Sequence, residues 1–200
     1  AIEFRGVSFR YPGSETYALK NIELTIRPGE KIALVGLNGA GKTTLVKLLC
    51  GLYRPTEGTI SVNGVNLLEY NRDEYYTLLS AVFQDIRLLP MSIKTNITLS
   101  ADGGDSERFE RVLELSGLAE KVRRLPERER TLLVRSVHDE AIELSGGELQ
   151  KLALARALYK QGKMIVLEGD IPRQEKHVTA DGTAELEIDL TRSGKYPRRV

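Results

Sequence analysis

The first part of the chain changes its hydrophobic period at a glycine-rich segment. Apolar and polar residues alternate over residues 2–11 and again over 19–26, and a period of two predicts two half-buried antiparallel strands. A Pro-Gly turn follows at 28–29, and the next apolar residues, 32–35, form a continuous run. Such a run is typical of a strand that is covered on both faces.

A glycine-rich loop lies between that strand and a helical pattern at 44–50. Residues 36–43 read GLNGAGKT and match the phosphate-loop pattern G-x-x-x-x-G-K-[ST]. Its backbone N–H groups would point at phosphates, since glycine permits close approach of the backbone. Lys42 would reach the terminal phosphates, and the Thr43 hydroxyl is a hard oxygen ligand that suits Mg²⁺. The residues predicted to bind the nucleotide are Gly36, Asn38, Gly39, Ala40, Gly41, Lys42, Thr43 and Thr44.

A second glycine motif precedes another helical pattern at 149–159. Residues 144–150 read LSGGELQ, which places Ser145 at the N-cap of that helix. The N–H groups of Gly146 and Gly147 would then form a second anion site. Ser145 and Glu148 also fit an ordinary capping box, which would stabilise the helix without any ligand. The motif alone leaves both interpretations open.

Composition and charge narrow the class of protein. The 200 residues are 41% hydrophobic and 28% charged, which is typical of a folded soluble chain and excludes disordered, collagen-like and disulfide-rich classes. The formal net charge of +1 gives no overall attraction to nucleic acid or anionic lipid. No apolar run approaches the roughly 20 residues that span a bilayer. The single cysteine, Cys50, is expected to be a small buried hydrophobe.

Together, the two motifs at 36–43 and 144–150 resemble those of the ATP-binding cassette (ABC) family. The resemblance covers residues 2–163, and the segments at 92–96 and 138–143 make the chain similar to the nucleotide-binding domain of an exporter. Further matching segments are FRYP at 9–12, GLYRPTEG at 51–58 and VFQD at 82–85.

This resemblance implies an α/β fold of the P-loop NTPase type. Its ABC form has a mixed sheet, an antiparallel β subdomain and an inserted α-helical subdomain. We therefore expect an antiparallel β and P-loop core in residues 1–85. The helical subdomain with the signature motif is expected in 86–161, and an atypical C-terminal segment with an incomplete catalytic core in 162–200.

The resemblance also implies ligands and roles for individual residues. ATP and Mg²⁺ are the expected cofactors. Tyr11 would stack on the adenine ring, as aromatic side chains do with bases. Gln84 would contact Mg²⁺ and the attacking water, so that Thr43 and Gln84 are the expected metal ligands.

The family's arrangement further implies two protein partners. Each ATP would lie between the phosphate loop of one nucleotide-binding domain and Ser145, Gly146 and Gly147 of a second one, in a head-to-tail dimer. ATP binding would close this dimer and drive transport through a transmembrane domain. The expected location is the cytoplasmic face of the plasma (inner) membrane, and no nucleic-acid partner is expected.

The expected catalytic segment departs from the family's pattern. There an apolar strand ends in Asp followed by Glu, with a switch histidine further on; here residues 164–167 are followed by Glu168 and Gly169, and His177 lies in no matching motif. Glu168 could replace the Asp as a catalytic residue beside Gln84. Alternatively, this strand resembles a later one, and the catalytic segment is missing.

Two functions therefore remain open from the sequence: an ABC transporter ATPase, or a catalytically impaired regulatory ATP-binding module. Chromosome-organising and DNA-repair ATPases share both motifs but separate them by long coiled coils. Only about 100 residues separate the motifs here, with no sustained heptads, which disfavours that class.

Overall fold

A computed structural model describes residues 1–35 and 37–168, without the side chain of Val35, and the backbone of residues 185–189. Its contacts divide the chain into two compact units. The first contains the described residues up to Tyr76 and the strand at 185–189, and the second contains those from Thr77 onward to 168.

The strands of the structure are β1 (Ile2–Phe9), β2 (Leu19–Ile26), β3 (Lys31–Val35), β4 (Glu57–Val62), β5 (Val65–Asn66), β6 (Leu79–Val82), β7 (Met164–Leu167) and β8 (Glu185–Asp189). The α-helices are α1 (Lys42–Leu49), α2 (Arg72–Leu78), α3 (Ile93–Thr98), α4 (Ser106–Ser116), α5 (Ala119–Arg124) and α6 (Gly146–Lys160), with short 3-10 turns at Leu67–Glu69 and Arg128–Arg130.

An antiparallel sheet of order β2-β1-β4-β5 forms much of the first unit. Phe4 of β1 lies opposite Leu24 of β2 and Ile60 of β4. The side chains of Phe4 and Ile60 are buried, and so are those of Val7 and Phe9, which lie beyond a break in the β1–β2 register between Phe4 and Val7. Such an irregularity lets residues that a strict period of two would separate lie on the same face. The two predicted antiparallel strands are confirmed.

The strand before the phosphate loop is less covered than its apolar run predicts. β3 pairs in parallel with β8, and within the described residues no other strand pairs with it. Ala33 is exposed, while Ile32 and Leu34 are half-buried. The expectation of a strand covered on both faces is therefore wrong for the described part of the chain, because a two-stranded sheet leaves these side chains open.

The second unit is built around α6. One face of α6 packs Leu152 and Ala155 into the helical core, and another packs Ala153 and Ala157 against Val82 of β6. The helical core is completed by Ile93, Ile97, Phe109, Val112, Leu113, Leu118, Ala119, Val122 and Leu133.

Two further elements of this unit follow the sequence. β6 and β7 pair in parallel, with Leu79 opposite Met164, so the strand predicted at 164–167 is confirmed. None of the helices that the structure describes combines the length and the apolar character that a membrane span requires. In the first unit, the expected burial of Cys50 is confirmed.

Candidate functional site

The phosphate loop of the first unit turns back on itself ahead of α1. Gly36 lies outside the described residues. The N–H of Ala40 donates to the carbonyl of Leu37 at 3.1 Å, and Lys42 Nζ donates to the same carbonyl at 2.9 Å. Asn38 and Gly39 are exposed. The ammonium group of Lys42 thus lies across the loop, where it can meet an anion that approaches from solvent.

Two glycines give the loop its backbone conformation. Gly39 has φ +85° and Gly41 has φ +89°, in the region that L side chains rarely adopt. A Cβ on Gly41 would lie 2.6 Å from Leu19 Cδ2 and 2.7 Å from the carbonyl oxygen of Ala18. A Cβ on Gly39 would meet nothing within 4 Å. Gly41 is therefore required for packing as well as for φ.

The N-terminus of α1 suits an anion. Its N-cap is Gly41, which supplies no side-chain cap, and the first turn holds no acidic residue. The helix dipole therefore favours negative charge at this end. Thr43 is exposed, whereas Thr44 is buried and its Oγ1 hydrogen-bonds the hydroxyl of Tyr11 at 2.9 Å. Of the two threonines, Thr43 has the hydroxyl that can face a ligand.

An aromatic cluster connects Tyr11 to this helix. The ring of Tyr11 meets Phe9 edge to face at 5.0 Å and Tyr53 at 5.7 Å, while Phe9 and Tyr53 stack on each other at 5.2 Å. Tyr11 is 37% exposed as a residue, and its hydroxyl is hydrogen-bonded to Thr44 of α1. The structure therefore places an accessible aromatic ring beside the phosphate loop.

Tyr53 was not predicted as part of this cluster. The sequence shows an aromatic residue in the 51–58 segment, but it does not show that this residue lies next to Tyr11. Lys47 Nζ lies 5.7 Å from the centre of the Tyr53 ring. This cation–π contact helps to hold the ring in place.

In the second unit, the signature residues form the start of α6. Ser145 is the N-cap: its hydroxyl accepts from the Glu148 N–H at 3.3 Å, and its own N–H donates to Glu148 Oε2 at 2.9 Å. This reciprocal pair is the predicted capping box,. Lys121 Nζ lies 3.0 Å from Glu148 Oε1. The Ser145 N–H bond first, and Lys121 further, lower the pKa of Glu148,.

The capping box does not use the N–H groups of the motif's two glycines. Gly146 and Gly147 are exposed, and a Cβ on either would meet nothing within 4 Å. Within the described residues, no acceptor is assigned to their N–H groups. The anion-site interpretation is therefore compatible with the capping box, and it would act through main-chain amides.

Gln84 shares a groove with these glycines. It is exposed and lies just beyond β6. An open cavity of about 430 Å³ is lined by residues 84–87 on one side and, at the start of α6, by Gly146, Gly147, Leu149 and Gln150. Gln84 and the signature motif thus line the same groove within the second unit, although 60 residues of sequence separate them.

The remaining predicted catalytic residue, Glu168, directly follows β7. The Glu168 N–H donates to the Val82 carbonyl at 2.8 Å, and the residue is half-buried. Gly169 and His177 lie outside the described residues. Within the described residues, no group of three or more His, Cys, Asp or Glu side chains could hold a metal ion.

Comparison with known proteins gives a consistent result. A family model for "ABC transporter" matches residues 19–169. The ATP-dependent lipid A-core flippase of Burkholderia orbicola is 38% identical over 183 residues, which cover 90% of this chain and 30% of the flippase. The beta-(1→2)-glucan export ATP-binding/permease protein NdvA of Rhizobium etli is 38% identical over 168 residues, which cover 84% of this chain and 28% of NdvA.

The fold comparison agrees. The structure of a bacterial Atm1-family ABC exporter with ATP bound superposes with a TM-score of 0.79 at 25% identity. The match covers 93% of this chain and 33% of the exporter. The chain therefore spans about a third of these relatives' length.

Proposed function

The chain belongs to the ABC transporter family, and from that premise we propose that it is the ATP-binding domain of an exporter. The phosphate loop carries this proposal: Lys42 Nζ lies across it at 2.9 Å from the Leu37 carbonyl, ahead of a helix N-terminus without acidic residues. Residues 36–44 would hold the phosphates, and Tyr11 would stack on the adenine.

Mg²⁺ is part of the same proposal. The exposed hydroxyl of Thr43 and the exposed amide of Gln84 are oxygen donors of the kind Mg²⁺ prefers, and the Thr44 hydroxyl is already bound to Tyr11. We infer that Thr43 and Gln84 are the metal ligands. When bound, the ion would neutralise charge that develops on the phosphates.

The proposed partners follow from the names of the relatives and from the open glycines. We infer that a second nucleotide-binding domain contributes Ser145, Gly146 and Gly147 to the ATP in a head-to-tail dimer. A transmembrane domain is the further partner, because the relatives are a flippase and an export ATP-binding/permease protein. This would place the chain at the cytoplasmic face of the plasma (inner) membrane. The proposed division of the chain is an antiparallel β and P-loop core in 1–85, a helical subdomain in 86–161 and an atypical segment in 162–200.

Hydrolysis by this chain is a separate proposal. We infer that Gln84 and Glu168 are its catalytic residues, with Glu168 fixed at its main chain by the bond to Val82. One observation favours the alternative of a catalytically impaired regulatory module: Gly169, which follows Glu168, has no side chain to act as a general base.

The binding proposal is tested by Lys42→Ala in a thermal-shift assay with Mg-ATP. A ligand at about 100 times its Kd adds about 2.7 kcal/mol, or about 5–10 °C in Tm for a chain of this size. We expect the shift to vanish in Lys42→Ala and to persist in Lys20→Ala, a control that removes an exposed lysine from β2. An unchanged shift in Lys42→Ala would refute this site.

Phosphate release at saturating Mg-ATP separates the two functions. Turnover that is lost in Glu168→Gln while the thermal shift persists supports an ATPase that uses Glu168. A full thermal shift without turnover supports the regulatory module.

A further inference from the structure

A buried polar cluster connects α6 to the loop after Gln84, and the proposed ATP chemistry does not use it. Its centre is Asn96, which is fully buried at 0% exposure. Asn96 Nδ2 donates to the carbonyls of Leu89 at 2.9 Å, Met91 at 3.2 Å and Ser92 at 3.1 Å, while Oδ1 accepts from the Leu89 N–H at 2.9 Å. One side chain thus satisfies several main-chain groups of residues 89–92, where the Leu133 N–H also donates to the Met91 carbonyl at 3.1 Å.

Arg156 of α6 completes this cluster. Its Nε donates to the Asn96 carbonyl at 2.7 Å, Nη2 to Asn96 Oδ1 at 3.2 Å, and Nη1 to the Arg87 carbonyl at 3.2 Å. Burial lowers the pKa of Arg156, because the charged form loses solvation,. Within the described residues, its assigned partners are carbonyl and amide oxygens and no carboxylate. Charge-assisted bonds to oxygens in fixed directions are well suited to holding a loop in one place.

Helix α6 contacts the segment after Gln84 in two ways. Ile86 packs against the cluster that Ala153 and Ala157 form with Val82, and Arg156 binds the Arg87 carbonyl. The first turn of α6 lines the open groove beside residues 84–87. An apolar contact and a hydrogen bond at adjacent residues fix the orientation of this segment on the helix, which a single contact would not.

We propose that Arg156 is a positioning residue that makes the Gln84 loop and the signature end of α6 move as one body. The importance of that movement for turnover rests on the proposed function above, since Gln84 and Gly146–Gly147 are the groups that it would carry. The attachment itself is a property of the second unit and can be measured without nucleotide.

The test is amide hydrogen exchange of the nucleotide-free protein, read at Leu89, whose N–H is bound to Asn96. Arg156→Met keeps an unbranched apolar stem about as far as the position of Nε and removes all of the side chain's donors. We expect exchange at 87–92 to rise at least about tenfold, with little change at the buried core amides of α4. Arg111→Met, which removes an exposed arginine of α4, is the matched control and should leave Leu89 unchanged.

Arg156→Lys distinguishes positioning from simple packing. It keeps the positive charge and one group that can reach a carbonyl, so we expect Leu89 exchange to fall between those of the parent and Arg156→Met. It also serves as the deciding variant if Arg156→Met does not fold: faster exchange at Leu89 supports the proposal, and parent-like exchange overturns it.

Two results would overturn the proposal. One is unchanged exchange at Leu89 in Arg156→Met. The other is an equal rise at Leu89 and throughout α4 and α6, which would show global destabilisation in place of a released loop. Because no nucleotide is present, an unchanged thermal shift in Lys42→Ala, which would refute the ATP site, would leave this result intact.

Discussion

Gly41→Ala offers a sharp test of how the phosphate loop is held. The added Cβ would lie 2.6 Å from Leu19 Cδ2 and 2.7 Å from the Ala18 carbonyl oxygen, at φ +89°. Leu19 is buried, and the carbonyl belongs to the main chain just before β2. The carbonyl oxygen cannot withdraw without moving the main chain, and the buried Leu19 side chain would have to repack.

The expected loss of stability has two parts. The left-handed conformation costs an alanine about 1–2 kcal/mol. Overpacking against the strand adds about 1–3 kcal/mol, so that Gly41→Ala should lose about 2–5 kcal/mol in total. Gly39→Ala has nearly the same φ, +85°, but its Cβ meets nothing within 4 Å, so only the conformational cost of about 1–2 kcal/mol applies.

Urea unfolding of both variants and the parent measures the difference. A third variant, Gly13→Ala, controls for the conformational cost away from the loop, because Gly13 has φ +79° and open space around its Cβ position. We expect Gly39→Ala and Gly13→Ala to be similar and Gly41→Ala to be clearly less stable. Equal losses at Gly39 and Gly41 would show that the contact with β2 is not maintained in solution and would refute the reasoning.

Two other predictions concern the aromatic cluster and the start of α6. Tyr11→Ala should weaken ATP binding by about 1–3 kcal/mol through lost stacking, without changing the affinity for tripolyphosphate. Tyr11→Phe should lose only the hydrogen bond to Thr44, which is about 1 kcal/mol of stability. Calorimetric titration with ATP and tripolyphosphate measures the first effect and urea unfolding the second; an equal loss of affinity for both ligands in Tyr11→Ala would contradict the stacking role. The lowered pKa of Glu148 means that its carboxylate stabilises the fold fully above the ordinary value of about 4.5 and loses that contribution as the pH falls through the lower folded value. Unfolding measured from pH 7 to pH 3 should therefore show a shallower decline for Glu148→Gln than for the parent, and parallel curves would argue against the capping carboxylate.

Local signals in the sequence predicted the elements that depend on local chemistry. The alternation at 2–11 and 19–26, the glycine pattern before α1 and the Ser145 cap of α6 each specify an element through residues close together in the chain. The prediction that β3 is covered on both faces failed because a run of apolar residues indicates that a strand tends to be buried and does not indicate which strands lie beside it.

Contacts between distant residues were beyond such signals. The edge-to-face contact of Tyr53 with Tyr11 joins segments some 40 residues apart, and the bonds from Arg156 to Asn96 join segments 60 residues apart. Period and turn chemistry carry no information on which polar side chains meet across such separations. The groove that Gln84 and Gly146 both line is another long-range arrangement that such local signals do not predict.

The capping box at Ser145 has a consequence for what this end of α6 can recognise. Since the serine hydroxyl already satisfies the Glu148 N–H, an anion bound here as we propose would be recognised chiefly by the peptide N–H groups of Gly146 and Gly147. Every amino acid carries a peptide N–H except proline, so mutation can block access to these donors more easily than it can remove them. The substitutions that this site tolerates are therefore limited by the size of the new side chain, because every residue except proline still provides the main-chain N–H donor.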